Sequence, residues 1–335
     1  VPTVTDWLVC DDNNDGQFIF DFTQKVDEII AGDNGLSVSF YTNQTDADVA
    51  QNRINGSFEN SVNPQMVYFR LENANNPNCY VIGDFDLRVF DSPTAYVASD
   101  FIICDMDESG VYSFDLSQKD AEVLNGQDAT IYKVSYHDTE QGANDNLNPL
   151  SKNGYQNSIY NETLWARVQH ISLNSCYDVT SFNLIINPLP QPVLEERYVI
   201  CPDSPDLIID GGDFESWSWQ GANGIELSTT RFFEVVDLGE YQLKVSQTMN
   251  GVSCDNSVTF EVLSSGAPES MEVETKGFSD QIDVTVTATG TGPFEYSVDG
   301  ENFQVNNEFK VFPGKYTVYV RDLEECRILS EEIIA

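Results

Sequence analysis

This sequence predicts an all-β protein of four tandem β-sandwich domains in an elongated array, on three observations. The first is an internal repeat: residues 1 to about 92 align with residues about 93 to 189. The second is a series of short alternating runs, such as Ser37-Val38-Ser39-Phe40-Tyr41 and Phe85-Asp86-Leu87-Arg88-Val89-Phe90, separated by Asn, Asp and Gly. Period-two alternation bounded by turn formers reads as half-buried strands. The third is cysteine usage, since the first six of seven cysteines fall as one pair per predicted domain. A repeat near 95 residues is the size of one sandwich.

The repeat is specific in its residues. Cys10 matches Cys104, Gly16 matches Gly110, and Phe20-Asp21-Phe22-Thr23-Gln24-Lys25 matches Phe114-Asp115-Leu116-Ser117-Gln118-Lys119. Phe58-Glu59-Asn60-Ser61 answers Tyr155-Gln156-Asn157-Ser158, Val67 to Arg70 answers Leu164 to Arg167, and Cys79-Tyr80 answers Cys176-Tyr177. Thr23 to Ile30 and Ser117 to Leu124 read as short helices that Thr23 or Ser117 caps. Asp91-Ser92-Pro93 and Asn187 to Pro192 mark boundaries, and proline joints of this kind are stiff, so the domains are expected to line up as a rod.

Residues about 193 to 264 form a third unit. Its Asp237-Leu238-Gly239-Glu240-Tyr241 has the spacing of a tyrosine corner, in which the hydroxyl bonds back to nearby backbone. That motif makes the predicted sandwiches immunoglobulin-like. In residues about 267 to 335, Asp280 to Val286 alternates cleanly, and Asp299-Gly300 predicts a tight hairpin. The predicted domains are residues 1–92 with Cys10/Cys79, 93–190 with Cys104/Cys176, 191–265 with Cys201/Cys254, and a short repeat over 266–335 with Cys326. Each bridge is expected inside its own domain, contributing roughly 4 kcal/mol. Cys326 has no early partner in its unit. It is expected to be a free thiol, or to pair with a cysteine beyond this sequence or on another chain.

Composition excludes several function classes. Fifty-five acidic against 16 basic residues give a formal charge of −39. Phosphate binding needs clustered Lys and Arg, so nucleic acid and anionic lipid are not expected partners. Forty-one per cent hydrophobic residues, with 20 Phe and 15 Tyr, exclude a disordered acidic tail. No apolar run approaches the ~20 residues of a membrane-spanning helix, so membrane insertion is not expected. No signal peptide opens the sequence, which reads as a mature chain or an excised fragment. Paired cysteines without a Cys-x-x-Cys, and with only His137 and His170, point to disulfides and an oxidising, extracellular compartment.

The first two repeats resemble those of large cell-surface adhesins of gliding Bacteroidota exported by the type IX secretion system. The residues that carry the resemblance are the Cys-Asp-x-x-x-x-Gly head, Phe-Asp-Phe/Leu-Thr/Ser-Gln, Tyr/Phe-x-Asn, the late aromatic-x-Arg and Cys-Tyr. Gly292 to Gly300, then Pro313-Gly314-Lys315-Tyr316 and on to Cys326, is similar to the short tandem repeat of gliding-motility adhesins. The resemblance implies extracellular, cell-surface sandwich stalks, often followed by a C-terminal sorting domain. The sequence stops at Ile333-Ile334-Ala335, where one could begin.

The sequence offers four groups of candidate site residues. Asp11, Asn13 and Asp15 before Gly16, and Asp105, Asp107 and Ser109 before Gly110, alternate oxygen ligands ahead of a glycine turn, as a Ca²⁺ loop does. Phe22 and Leu116 stand where an EF-hand has its bidentate Glu, so Asp21 and Asp115 are the expected closing ligands, and the first loop the stronger site. The ion would be structural. Trp217 and Trp219 lie on one side of a strand, where they either stack on surface glycans or plug the core. Arg70 and Arg167 are expected to bridge acidic neighbours within their repeats, and the two histidines to be surface or strand residues. Enzymatic motifs are absent: there is no Gly-x-Ser-x-Gly, His-x-x-x-His or phosphate-cradling glycine loop. The predicted role is a non-catalytic stalk segment, stiffened by disulfides and Ca²⁺. The alternatives are a lectin-like module or a subunit of an extracellular assembly, with other extracellular proteins, surface glycans or further copies of the chain as partners.

Overall fold

The computed structural model describes residues 2–202, 204, 206–277 and 280–335. The chain forms two compact units, one of residues 1–103 with 109–186, the other of residues 104–108 with 187–335. Both are built from tandem immunoglobulin-like β-sandwiches.

In the first unit, the first repeat contains β1 (Trp7–Asp11), β2 (Ile19–Asp21), α1 (Thr23–Ile30), β3 (Leu36–Tyr41), α2 (Gln44–Val49), β4 (Ser57–Glu59), β5 (Gln65–Asn73) and β6 (Asn76–Asp91). A four-stranded sheet in the order β1-β6-β5-β3 packs against the pair β2-β4. The alternation read in the sequence supplies the core, with Phe85, Leu87 and Val89 of β6 turned in beside Phe20, Phe22, Phe40 and Phe69. Trp7 closes edge-on against Phe20 at 5.2 Å and Phe22 at 5.7 Å.

The second repeat has the same plan, with β7 (Phe101–Cys104), β8 (Ser113–Asp115), α3 (Asp120–Leu124), β9 (Tyr132–His137), α4 (Glu140–Asp145), β10 (Asn153–Gln156), β11 (Asn161–His170) and β12 (Tyr177–Asn187). Its sheet order β7-β12-β11-β9 matches the first, as does the pair β8-β10.

The direction of the head strand decides what each repeat's first cysteine can reach. β1 runs parallel to β6, with Trp7 opposite Leu87 and Cys10 opposite Phe90. Cys10 therefore sits where the chain leaves the domain. Cys79 lies eleven residues earlier on the same strand, which at ~3.3 Å per residue is about 35 Å away.

α1 forms where the Thr23-to-Ile30 reading placed it, but Thr23 does not cap it. Asp21 does the local bonding, accepting from the Thr23 backbone N–H at 3.1 Å and hydroxyl at 2.8 Å. In the second repeat the same stretch splits into a 3₁₀ turn (Leu116–Lys119) and α3. Two short helices, α2 and α4, lie outside the sequence expectations. Their signals are Asn43, which accepts from Asp46 N–H at 2.9 Å, and Thr139, which accepts from Gly142 N–H at 3.1 Å.

In the second unit, β13 (Arg197–Ile200), β14 (Ile208–Asp210), β15 (Ser216–Gly221), β16 (Glu226–Ser228), β17 (Phe232–Glu234), β18 (Gly239–Met249) and β19 (Val252–Ser264) make the third sandwich. Again the head strand is parallel to the last, with Ile200 opposite Ser264. The tyrosine corner is present: Tyr241 donates its hydroxyl to the Asp237 carbonyl at 2.6 Å. β18 turns into β19 through Asn250-Gly251, both left-handed, as a two-residue hairpin requires.

The fourth sandwich has two three-stranded sheets. One is β20 (Ser270–Lys276), β21 (Ile282–Thr289) and β23 (Glu308–Val311). The other is β22 (Phe294–Ser297), β24 (Lys315–Asp322) and β25 (Ile328–Ile334). The tight hairpin predicted at Asp299-Gly300 is instead a longer loop. Pairing resumes only at Tyr296 opposite Gln304. The Asp299 carboxylate organises the turn, accepting from Glu301 and Asn302 N–H and from the Ser297 hydroxyl.

Candidate functional site

The disulfides are the principal correction to the sequence reading. Cys10 bonds to Cys176, Cys104 to Cys254 and Cys201 to Cys326, with Cα separations of 5.2, 5.6 and 5.3 Å. The expected intradomain pairs Cys10/Cys79, Cys104/Cys176 and Cys201/Cys254 do not form, Cys326 is not free, and Cys79 is an exposed thiol. The physical reason is the parallel head strand. Within one sandwich the early cysteine lies at the end of the last strand and the late cysteine near its start. A disulfide tolerates a Cα separation of only ~7 Å. Each head cysteine therefore meets the late cysteine of the next domain.

Within the first unit the joint around Cys10–Cys176 is built from many parts. Cys176 is fully buried. The Phe90 ring lies 4.3 Å from that of His170, and Tyr132 donates to the Asp91 carbonyl at 3.1 Å. The connecting segment is held at both ends. Ser92 N–H donates to Asn14 Oδ1 at 2.7 Å and the Asn14 amide returns a bond to Ser92 O. Gln127 brackets Thr94 by accepting from its N–H and donating to its carbonyl, and Asp178 accepts from Ala95 N–H at 2.8 Å. With its backbone groups satisfied in this way, the segment behaves as structure and not as a flexible linker.

The second unit contains two more joints. Asn187 donates to the Met249 carbonyl at 2.7 Å and accepts from Asn250 at 2.8 Å, which seats it on the Asn-Gly hairpin near Cys254. Beside Cys201–Cys326, Arg197 pairs with Glu324 at 2.9 Å. There Gly292 N–H donates to the Gly266 carbonyl at 3.2 Å, and a Cβ on Gly266 would stand 2.3 Å from Gly292 O. That glycine is required by a close approach of two backbones.

The acidic loop at Asp11 is part of the first joint. Asp11, 3% exposed, accepts from Gly16 N–H at 2.7 Å and Asn13 N–H at 3.2 Å. Asp15 accepts from Gln17 N–H and from the Asn13 amide. The Tyr/Phe-x-Asn motif closes the loop from the next strand pair. Asn60 accepts from Phe18 N–H at 2.6 Å and donates to Gly16 O at 2.8 Å. Asn157 does the same with Tyr112 and Gly110. These residues fit a Ca²⁺ shell poorly. Asn13 presents its amide nitrogen to Asp15, and Asp21 and Asp115 face Thr23 and Ser117, from which they accept at 2.8 and 2.5 Å. Phe22 and Leu116, at the EF-hand closing position, are buried in the cores. In the second loop the Ser109 hydroxyl bonds to Val111 backbone, and Asp105 is buried. No group of three or more His, Cys, Asp or Glu side chains placed to hold a metal ion occurs among the described residues. Excess chelator is accordingly expected to leave the melting temperature unchanged. A rise of several degrees with millimolar Ca²⁺, lost in Asp15→Ala, would reinstate the ion.

The remaining candidates are structural. Trp219 is fully buried, stacked on Phe233 at 4.9 Å and donating to Thr230 O, while Trp217 packs against the same core, so this pair offers no platform for a sugar ring. Arg70 pairs with Glu72 at 2.9 Å, as expected. Arg167 does not meet an acid, since Gln169 stands in the matching position at 3.0 Å. Both arginines cap the C-terminus of a short helix. Arg70 donates to Ala47 and Asp48 carbonyls, Arg167 to Ala143 and Asn144, and each guanidinium lies under a tyrosine, Tyr80 at 3.3 Å and Tyr177 at 3.5 Å. Burial draws Arg167 below its ordinary pKa, whereas for Arg70 burial, the largest single influence, is outweighed by the hydrogen bonds and charges of Glu72 and Tyr80 together, and its pKa is raised.

His137 and His170 lie in strands and are buried. His137 bonds through Nδ1 to the Leu147 carbonyl, and His170 accepts from Ser172 N–H. Burial lowers both pKa values, so each contributes stability that is full above the unfolded value of 6.5 and is lost as pH falls below it. Glu122, held to about 2 by Ser99 N–H and by Lys119, adds a loss between about pH 4.5 and 2. Thermal melts from pH 8 to 3 are expected to show the first decline near pH 6. A flat profile down to pH 4.5 would contradict the neutral histidines.

The profile of the Flavobacterium inter-domain disulphide bond domain matches residues 6–93 and again 100–190, more than half of the chain. The chain belongs to that family. Among curated proteins none matches. Of solved structures, a fragment of Sidekick-1 immunoglobulin domains 1–4 is similar at 7% identity, covering 100% of this chain and 96% of that one, with a TM-score of 0.27. The N-terminal eight Ig domains of Down Syndrome Cell Adhesion Molecule align at 13% identity over 99% of this chain and 53% of theirs, TM-score 0.27. The ICAM-5 D1–D4 ectodomain fragment aligns at 10% over 98% and 96%, TM-score 0.25. The disulfides of this inter-domain disulphide bond protein point to an oxidising, extracellular setting. No helix among the described residues is long and apolar enough to cross a membrane.

Proposed function

We propose that this inter-domain disulphide bond protein is a load-bearing, non-catalytic stalk segment of a secreted cell-surface adhesin. The observation that carries the proposal is the disulfide connectivity. Bridges from Cys10 to Cys176 and from Cys201 to Cys326 give the chain a short covalent route from end to end. That route runs through residues 1–10, 176–201 and 326–335, roughly 46 residues, or about 160 Å when extended at ~3.5 Å per residue. Tension applied at the ends bypasses most of each sandwich core, so the domains keep their fold under load. Export by the type IX route, attachment at the cell surface and a role in gliding belong to the same proposal. They rest on the resemblance of the Cys-Asp-x-x-x-x-Gly repeats and of the Gly292-to-Cys326 repeat. The charge of −39 fits a surface segment that keeps neighbouring stalks apart.

Single-molecule stretching between the termini tests the load path. The oxidised chain is expected to release no more than about 160 Å of contour, and the reduced chain about 1,200 Å in domain-sized steps. Domain-sized steps from the oxidised chain would refute the stalk reading.

A further inference from the structure

His170 stands in the second repeat where Asn73 stands in the first, each six residues ahead of the late cysteine, and the two do one local job. Asn73 Oδ1 accepts from Asn75 N–H at 2.9 Å, and His170 Nδ1 accepts from Ser172 N–H at 3.1 Å. The setting differs. Asn73 is exposed, whereas His170 is 7% exposed and its ring lies 4.3 Å from that of Phe90 of the first repeat, with Tyr132 edge-on at 5.7 Å. The turn that His170 holds also leads to the bridge. His170 N–H donates to the Cys176 carbonyl at 2.9 Å, and Cys176 N–H to Leu173 O at 3.1 Å. One side chain thus touches both the aromatic contact and the disulfide turn of the joint inside the first unit. Adding a proton to it has a cost. With Nδ1 facing a backbone N–H, the neutral ring carries its hydrogen on Nε2. A second hydrogen, on Nδ1, would point at the Ser172 N–H, which has nothing to accept it with. His137 has an easier course, because its Nε2 faces the Ser135 hydroxyl at 3.1 Å, and a hydroxyl can turn from donor to acceptor.

We infer that His170 is a proton-operated catch on the joint between the first two repeats. Neutral, it packs on Phe90 and holds the Ser172 turn; as the cation it gives up both, and the repeats hinge about the intact Cys10–Cys176 bridge. The joint is then stiff at neutral pH and a hinge in acid. The groups around the ring set the balance. Burial disfavours the cation, whereas Asp91, at the end of β6, and the face of the Phe90 ring favour it. Tyr132 keeps its proton, since burial and Asp91 both raise its pKa. Asp178, on β12, is engaged with Ala95 and Val179 N–H, Lys133 on β9 is exposed opposite Gln169, and the bridge sulfurs do not titrate. Burial is the larger influence, so His170 in the closed joint lies below its ordinary 6.5. In an open joint the ring meets water and titrates at the ordinary value, so the open fraction rises by up to about tenfold between pH 7.5 and 5.5.

Amide hydrogen exchange of the 335-residue chain, corrected at each pH for the intrinsic exchange rate, tests the catch. The variants are His170→Asn, the residue that the first repeat already uses, and His170→Gln, neither of which titrates. In the unsubstituted chain, protection at Ser172, Ser92 and Ala95 is expected to fall by up to about tenfold from pH 7.5 to 5.5. Phe69 and Val168, in the central strands of the two sandwiches, should remain the better protected at pH 5.5, because the joint opens while both repeats stay folded. In the variants the three joint amides should keep one level of protection at both pH values. No fall in the unsubstituted chain, the same fall in either variant, or joint amides no less protected than Phe69 and Val168 at pH 5.5 would each overturn the catch. None of these outcomes bears on the load path, which stretching tests separately.

Discussion

Replacing Cys10 and Cys176 together by serine is expected to give the largest loss of stability of any pair of surface-neutral changes, up to about 5 kcal/mol in the chain-entropy account for a loop of this length. The bridge closes a separation of 166 residues. The two sandwich cores of the first unit are separate, one centred on Phe20, Phe40 and Phe69, the other on Phe114, Tyr136 and Phe182. Each therefore has the means to stay folded when the bridge is cut. Calorimetry should show one cooperative transition for the first and second repeats in the native chain and two in the double variant, the lower shifted down by ten degrees or more. Hydrogen exchange should rise first at Ser92, Thr94 and Ala95, whose amides are held across the joint. A single transition at an unchanged temperature would show that the noncovalent contacts alone couple the repeats.

Arg167→Met is expected to cost about 2–4 kcal/mol, because a buried carbonyl left without its donor costs about 1–3 kcal/mol. The substitution keeps apolar volume under Tyr177 but takes the guanidinium donor from three carbonyls, those of Ala143, Asn144 and Asn174, of which Ala143 keeps a bond from Asn146 N–H. The Asn174 contact orders the turn that presents Cys176, so the variant's Cys10–Cys176 bridge should also be reduced faster by dithiothreitol. Arg70→Met is the matched control. It should destabilise the first repeat by a similar amount and leave the reduction of Cys10–Cys176 unchanged. Urea melts of both variants, with reduction tracked by mass spectrometry, check the two outcomes together.

What could be read from the sequence divides along a physical line. Alternation in Phe85-to-Phe90, the tyrosine corner at Tyr241 and the repeated Phe-Asp-Phe/Leu motif are local signals, and they carry the sandwich class and the repeat. Whether a head strand runs parallel or antiparallel to the last strand leaves no local trace. That single choice decides whether Cys10 meets Cys79 or Cys176, and the intradomain pairs fail on it. The acidic loops are ambiguous for a related reason. Asp11, Asn13 and Asp15 have the spacing of cation ligands, but the same spacing lets their oxygens accept from Gly16, Asp15 and Gln17 backbone, and the sequence does not distinguish the two uses. α2 and α4 escape a sequence reading because six-residue helices have too few turns for periodicity, although Asn43 and Thr139 are legible as caps.

The three bridges also overlap along the sequence, spanning 10 to 176, 104 to 254 and 201 to 326. Every peptide bond between Cys10 and Cys326 is enclosed by at least one of them. A protease that cuts any one exposed loop in that interval, such as the turn at Asn52 or the hairpin at Asn250-Gly251, leaves both fragments joined through sulfur. A chain with one bridge inside each domain would part at the first cut in any linker. Bridging successive domains gives this one a molecular continuity that no single backbone break within that span can interrupt, in a space where hydrolytic enzymes are common and repair is not available.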